Sequence, residues 1–219
     1  MKFNYLPMST ETIEGMRMYM TPSGPYPSMT TVLGGTMSEE KQKSLASWAK
    51  SIGEVNAKKI TQSAADRGTN VHTMIERHLK GEVPFTPNEF PQPHINSFNA
   101  LKLKLKNIDE IWCQEEALYS DTLMIAGRVD CIGVYKGEEA IIDFKTSSRL
   151  KSPKDIEDYR YQLCGYAIMH NEMFNTNISK GIILMTSDLG FPQEFKVDLT
   201  AYVEPLYDRV QEFYRKLKV

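Results

Sequence analysis

From Glu139 to Ser147 the chain runs Glu-Ala-Ile-Ile-Asp-Phe-Lys-Thr-Ser, an apolar stretch of strand length with an acid and a lysine set into its far end. Residues two apart on a strand share a face, so Asp143 and Lys145 project together. An acid beside Ile141, Ile142 and Phe144 is costly to bury unless it is paired or holds a metal ion. A second apolar segment, Met124 to Tyr135, contains Gly127-Arg128-Val129-Asp130, and the Lys136-Gly137 turn signal joins it to the first. Asp130 on the neighbouring strand completes a cluster suited to a divalent cation with activated water beside it. The competing reading makes Asp143 and Lys145 an ordinary surface pair and Asp130 a turn aspartate bridged to Arg128. A helix over Ile156 to Met169 follows, carrying Tyr159, Gln162 and Tyr166, the last two on one face.

The elements around this stretch follow from periodicity and punctuation. Residues 1–27 mix Met, Tyr, Pro and Gly without a sustained period and read as irregular. Tyr26 to Gly34 reads as a loop entering a short ordered segment. Thr36 or Ser38 caps a helix that stops near Gly53. A second helix starts near Glu54 and continues to Gly81, with an interruption expected around Arg67-Gly68-Thr69-Asn70, because Gly, Thr and Asn are weak helix formers. Residues 82–93, with four prolines, form a loop. Ile95, Phe98, Leu101, Leu105 and Ile108 recur at helical spacing. Strands are expected over Ile111–Tyr119, Met124–Tyr135, Glu139–Thr146, Gly181–Thr186 and Phe195–Leu199, and a closing amphipathic helix over Val203–Leu217. The fold class is therefore α/β (α+β): one domain over residues 1–219, with a mainly helical part at 1–109. The αβ core spans 110–219, joined by the helix at 62–80.

A chain of 219 residues buries a substantial core in one domain. Its formal net charge of −2 is not the basic footprint of a sequence-independent DNA binder. Local basic clusters stand out within it: Lys58, Lys59 and Arg67, then Arg149, Lys151 and Lys154. Cys113, Cys131 and Cys164 are odd in number and widely spaced, which fits buried thiols in a reducing compartment. No targeting character is visible at the start, and no apolar run approaches a membrane span. The expectation is a cytoplasmic protein of a bacterial or phage-infected cell, without membrane partners. HExxH, P-loop, GxGxxG and GxSxG patterns are all absent. His72 and Glu76 share a helical face, where a lone histidine is more often a packing residue. Of Glu115 and Glu116, strand alternation lets only one face the cluster.

Taken together, Arg67-Gly68-Thr69-x-x-His72, Gly127-Arg128-Val129-Asp130, Asp143-Phe144-Lys145-Thr146-Ser147 and Gln162-x-x-x-Tyr166 resemble the RecB-type branch of the PD-(D/E)XK nucleases. Within that branch the chain is similar to the mitochondrial genome maintenance exonucleases and their phage and bacterial relatives. The likeness begins at Tyr26-Pro27-Ser28-Met29-Thr30-Thr31-Val32-Leu33 and covers most of the chain. It implies a restriction-endonuclease-like core, a mixed sheet flanked by helices. It also implies Asp130, Asp143, Lys145 and Gln162 as catalytic residues, and His72, Asp130, Asp143 and the Phe144 carbonyl around Mg²⁺ or Mn²⁺. Tyr166 supports the site, and Glu76 and Glu116 stand behind the metal ligands. Ser28, Thr30, Thr31, Arg67, Thr69 and Ser147 are the expected phosphate contacts. With three misplaced cysteines, the iron–sulfur cluster of some RecB-type nucleases is not expected. The implied activity is metal-dependent DNA hydrolysis, on single strands from a free end, in replication, recombination or repair. A structure-specific endonuclease with the same site, or a non-catalytic nucleic-acid-binding accessory module, are the alternatives.

Overall fold

The computed structural model describes residues 2–82, 85–86 and 88–217. Its centre is a five-stranded sheet of β4 (Ile108–Ser120), β5 (Ile125–Tyr135), β6 (Glu138–Ser147), β7 (Lys180–Ser187) and β8 (Pro192–Asp198), in that spatial order. All neighbours are antiparallel except β6 and β7. That parallel pair is joined by α5 (Glu157–Phe174), the crossover a parallel connection requires. The mixed α/β class and the order of three strands, a helix, two strands and a closing helix agree with the sequence reading.

The central strands are buried on both faces, and alternation along β6 and β7 sorts their side chains between two cores. Ile141, Ile183 and Met185 face α5, α1 (Met29–Gly35) and α6 (Val203–Leu217), against Leu163, Met29, Val32 and Val210. Ile142, Phe144, Ile182 and Leu184 face the other way, against Val71 and Met74 of α3 (Glu54–Leu79) and Phe98 and Leu101 of α4 (Gln92–Leu105). The sheet is thus the middle of three layers. His72 reaches it from one layer, and Gln162 and Tyr166 from the opposite one.

The structure departs from the sequence reading in three places. Residues 10–27 are not irregular: β1 (Thr10–Ile13), β2 (Met16–Thr21) and β3 (Gly24–Pro27) form an antiparallel sheet. Glu14 and Gly15 both take positive φ in the two-residue turn between β1 and β2, a geometry whose twist suits a tight hairpin. All four β1 residues are exposed and Tyr19 alone on β2 is buried, so no alternating pattern advertises the strands. The segment from Tyr26 is the end of β3 leading into α1, where the Thr31 N–H donates to the capping Ser28 hydroxyl.

Nor is α3 interrupted at Gly68-Thr69-Asn70; it is one helix of 26 residues. Tertiary contacts hold the weak segment. Arg67 grips Asp188 with both carboxylate oxygens at 2.6 and 2.8 Å, and the Asn70 amide meets His94 at 2.9 Å. The preceding helix, α2 (Glu39–Ile52), is capped by Ser38 rather than Thr36. It ends at Gly53, whose φ of 84° suits glycine. α2 has no buried residue. In the loop expected over 82–93, Val83, Pro84 and Pro87 lie outside the described residues, and Gln92 and Pro93 already belong to α4. No helix of the described residues is long and apolar enough to cross a membrane.

Candidate active site

β5 and β6 are laddered from Tyr135–Glu138 as far as Cys131–Ile142, and the next pair would be Asp130 and Asp143. There the strands part, while β6 remains paired to β7 out to Ser147. The backbone groups freed by the split find other partners. The Phe144 N–H donates to Asp130 Oδ2 at 2.8 Å, and the Phe144 carbonyl accepts from His72 Nε2 at 2.7 Å. A side chain from α3 and a carboxylate from β5 thus occupy the gap in the ladder. This fixes the imidazole with Nδ1 toward the acids, 3.7 Å from Asp130 Oδ2 and 3.9 Å from Glu115 Oε1.

His72, Glu115 and Asp130 each offer a ligand atom within 4.8 Å of the others. Glu115 is the residue the sequence argument did not select. It stands on β4 at φ 54°, a strained value for a glutamate and of a kind concentrated at functional sites. β4 also carries register shifts upstream, between Ile108 and Glu110 and between Ile111 and Cys113. Past those shifts the ladder is regular from Gln114–Cys131 to Glu116–Val129, which sets Glu115 level with Asp130. Glu116 stands opposite Val129, and its charge acts on Tyr5 and Cys113.

Asp143 is 1% exposed, beside Lys145 Nζ at 2.6 Å. The ammonium faces both carboxylate oxygens, donating to Oδ1 and ion-paired with Oδ2. Burial lifts the Asp143 carboxyl to about 6, with Lys145 opposing the rise and Asp130 adding to it. For Lys145, burial works against the ammonium, but Asp143 and Asp130 outweigh it and the pKa rises. Burial likewise pulls His72 down, yet Asp130 and Glu115 carry it up to about 9. Negative potential dominates the pocket. One imidazole, three carboxylates and a carbonyl form a donor set that suits Mg²⁺ or Mn²⁺.

Gln162 Nε2 donates to the Tyr166 hydroxyl at 3.0 Å, and Tyr166 packs against β5 at Gly127. A Cβ on Gly127 would sit 2.6 Å from the Tyr166 ring, so the glycine before Arg128 is the space the tyrosine occupies. Thr30, Thr69, Glu76, Arg128, Gln162 and Tyr166 line one cavity of about 450 Å³ together with His72, Glu115 and Asp130. The other expected phosphate contacts are placed differently. Ser28 is 1% exposed, with its hydroxyl committed to the α1 cap and to Thr30 and Thr31. Arg67 and Ser147 line a neighbouring cavity, Arg67 held by Asp188. Glu76 is bridged to Lys80 at 2.5 Å. The three cysteines are buried and unpaired.

Over 177 residues the chain is 27% identical to mitochondrial genome maintenance exonuclease 1 of Xenopus tropicalis, covering 78% of this chain and 51% of that protein. It is 25% identical to the protein of that name from Homo sapiens over 173 residues, covering 76% and 50%. The chain spans about half the length of these relatives. A crystal structure of a proposed exonuclease from Eubacterium rectale shares the fold, with a TM-score of 0.50 over 69% of this chain and 66% of that one, at 10% identity. The chain is thus similar in sequence to these exonucleases and shares its fold with the Eubacterium rectale protein. No family model matches it. The split between β5 and β6 carries Asp130 and Asp143-Phe144-Lys145, the motif residues of the sequence reading.

Proposed function

We propose that the chain is a metal-dependent deoxyribonuclease, an exonuclease that hydrolyses phosphodiester bonds in single-stranded DNA from a free end. The observation that carries this reading is the split of β5 from β6, which gathers His72, Glu115 and Asp130 around one cavity and sets the paired Asp143 and Lys145 on the parted strand beside them. His72, Glu115, Asp130, Asp143 and the Phe144 carbonyl would hold Mg²⁺ or Mn²⁺, which lowers the pKa of a bound water and offsets charge on phosphate.

The chain's own groups do the rest. Lys145, kept protonated by Asp143 and Asp130, orients the attacking water and neutralises charge growing on the phosphoryl oxygens. Asp143 holds that ammonium in place. Gln162, fixed by Tyr166, presents its remaining amide groups to a phosphate or to the lysine, and Thr30, Thr69 and Arg128 line the wall where the backbone lies. Replacing Asp143 by Ala in purified protein abolishes cleavage in Mg²⁺ or Mn²⁺ on this account. Full activity of that variant, with contamination excluded, overturns it. The similarity to named exonucleases favours free-end attack on DNA and a role in replication, recombination or repair.

A further inference from the structure

Beyond Lys145 the protein surface changes character. One cavity of about 470 Å³ lies between α3 and the end of β6. A second, of about 700 Å³, lies between α2 and the start of α5. Two residues line both, Lys151 and Tyr159. Four of the neighbouring cations are matched: Lys41 and Arg209 with Asp158, Arg149 with Asp155 and Arg67 with Asp188. Three are not: Lys59 and Lys154, each lining one cavity, and Lys151, lining both. Among the described residues no carboxylate lies within ion-pairing distance of the Lys151 ammonium.

Its backbone is nevertheless pinned. Gln193 accepts from the Lys151 N–H and donates to the Lys151 carbonyl, both at 2.8 Å. Burial and then Arg149 draw its pKa below the usual lysine value, with Asp155 opposing the fall and Lys41 adding to it. A half-buried, held lysine amid other cations calls for an anion. Tyr159 supplies the companion feature, a half-buried ring whose near side carries Lys145 Nζ at 5.1 Å from the centroid. Exposed Ile60 and Leu45 add apolar surface, one in each cavity.

We infer that Lys151 and Tyr159 form a gripping subsite for single-stranded nucleic acid, next to the reaction centre. A backbone phosphate pairs with Lys151 and a base stacks on Tyr159, and the strand continues through the two cavities. This rests on the nuclease reading and adds to it a second contact point away from the scissile bond.

The test measures binding without chemistry, in EDTA. Fluorescence anisotropy follows a labelled oligothymidylate of about 20 nucleotides, longer than the usual ~4–16-nucleotide footprints, across a salt series. Lys151→Gln is expected to weaken binding and to lower the slope of log K against log salt by about 0.7, the value for one single-strand phosphate contact. Lys151→Arg restores the slope. Tyr159→Leu loses roughly tenfold in affinity, as removal of one stacked base does, with the slope unchanged. Lys180→Gln, far along the sheet, serves as the control. An unchanged slope for Lys151→Gln, with wild type binding normally, overturns the subsite alone. Wild-type protein that binds no oligonucleotide overturns the nuclease reading and the subsite with it.

Discussion

The pocket at the β5–β6 split and the groove beginning at Lys151 are neighbours with opposite chemistry. In the pocket, Asp130 and Glu115 act together on His72 and lift it to about 9. In the groove, cations crowd one another and Lys151 is pushed down by burial and by Arg149. A net charge of −2 averages the two and conceals both. The difference teaches that positioning a cation and gripping a polyanion are separate tasks, done by separate surfaces that meet at Lys145 and Tyr159.

If that division is right, changes in the pocket abolish chemistry while changes in the groove alter only grip. The largest effect is expected at Lys145. Lys145→Ala lowers the single-turnover cleavage rate by about a thousandfold or more. It also destabilises the fold by roughly 3–5 kcal/mol, because buried Asp143 loses its partner. A denaturant titration compares it with Lys145→Ala/Asp143→Asn, in which part of that stability returns. Cleavage near the wild-type rate would dissolve the contrast between the regions.

Next comes Glu115. Glu115→Gln weakens Mn²⁺ binding by about tenfold or more, measured by electron paramagnetic resonance titration, whereas Glu116→Gln leaves it unchanged. Equal losses in both would mean that the pocket's acids act only through their summed charge. Gly127→Ala then tests the packing beneath the pocket. Its methyl meets the Tyr166 ring, costing about 1–3 kcal/mol in thermal unfolding and lowering cleavage without removing a ligand.

The smallest effect concerns a site in neither region. His170 Nδ1–H donates to Thr176, whose hydroxyl is already given to Asn171, so Nε2 accepts from the Tyr5 hydroxyl. Burial, then Lys2, pull the imidazole down to about 4. The unfolded chain takes up that proton near 6.5 and the folded one does not. This contribution is therefore intact above 6.5 and declines as pH falls from there toward 4. About 1–2 kcal/mol is lost by about pH 5 in urea unfolding. His170→Gln flattens that dependence, and an unchanged slope would reject the assignment.

The site was legible in the sequence because its parts are short, local patterns. A charged pair inside an apolar strand marks β6, a turn signal marks the hairpin before it, and helical spacing marks Gln162 and Tyr166. What was not legible depends on distant contacts. The sheet at β1–β3 buries little, and its tight turn is Glu-Gly rather than the more telling Asn-Gly. The continuity of α3 rests on Asp188 and His94, far away in sequence. Glu115 was passed over because alternation says only that one of two adjacent acids faces the cluster, and the family resemblance pointed to Glu116. The pairing register that sets Glu115 level with Asp130 is a tertiary fact. The Arg149, Lys151 and Lys154 cluster was visible, but not that Lys151 alone of the three joins two cavities.

The most direct measurement incubates purified protein with linear single-stranded DNA labelled separately at each end, beside a covalently closed single-stranded circle, in Mg²⁺, Mn²⁺ or EDTA. Asp143→Ala runs alongside. The account predicts metal-dependent loss of the linear strand alone, and no loss with the variant. Cutting of the circle would contradict attack from a free end while leaving the metal site standing. Cleavage in EDTA, or by Asp143→Ala, would contradict the central claim itself.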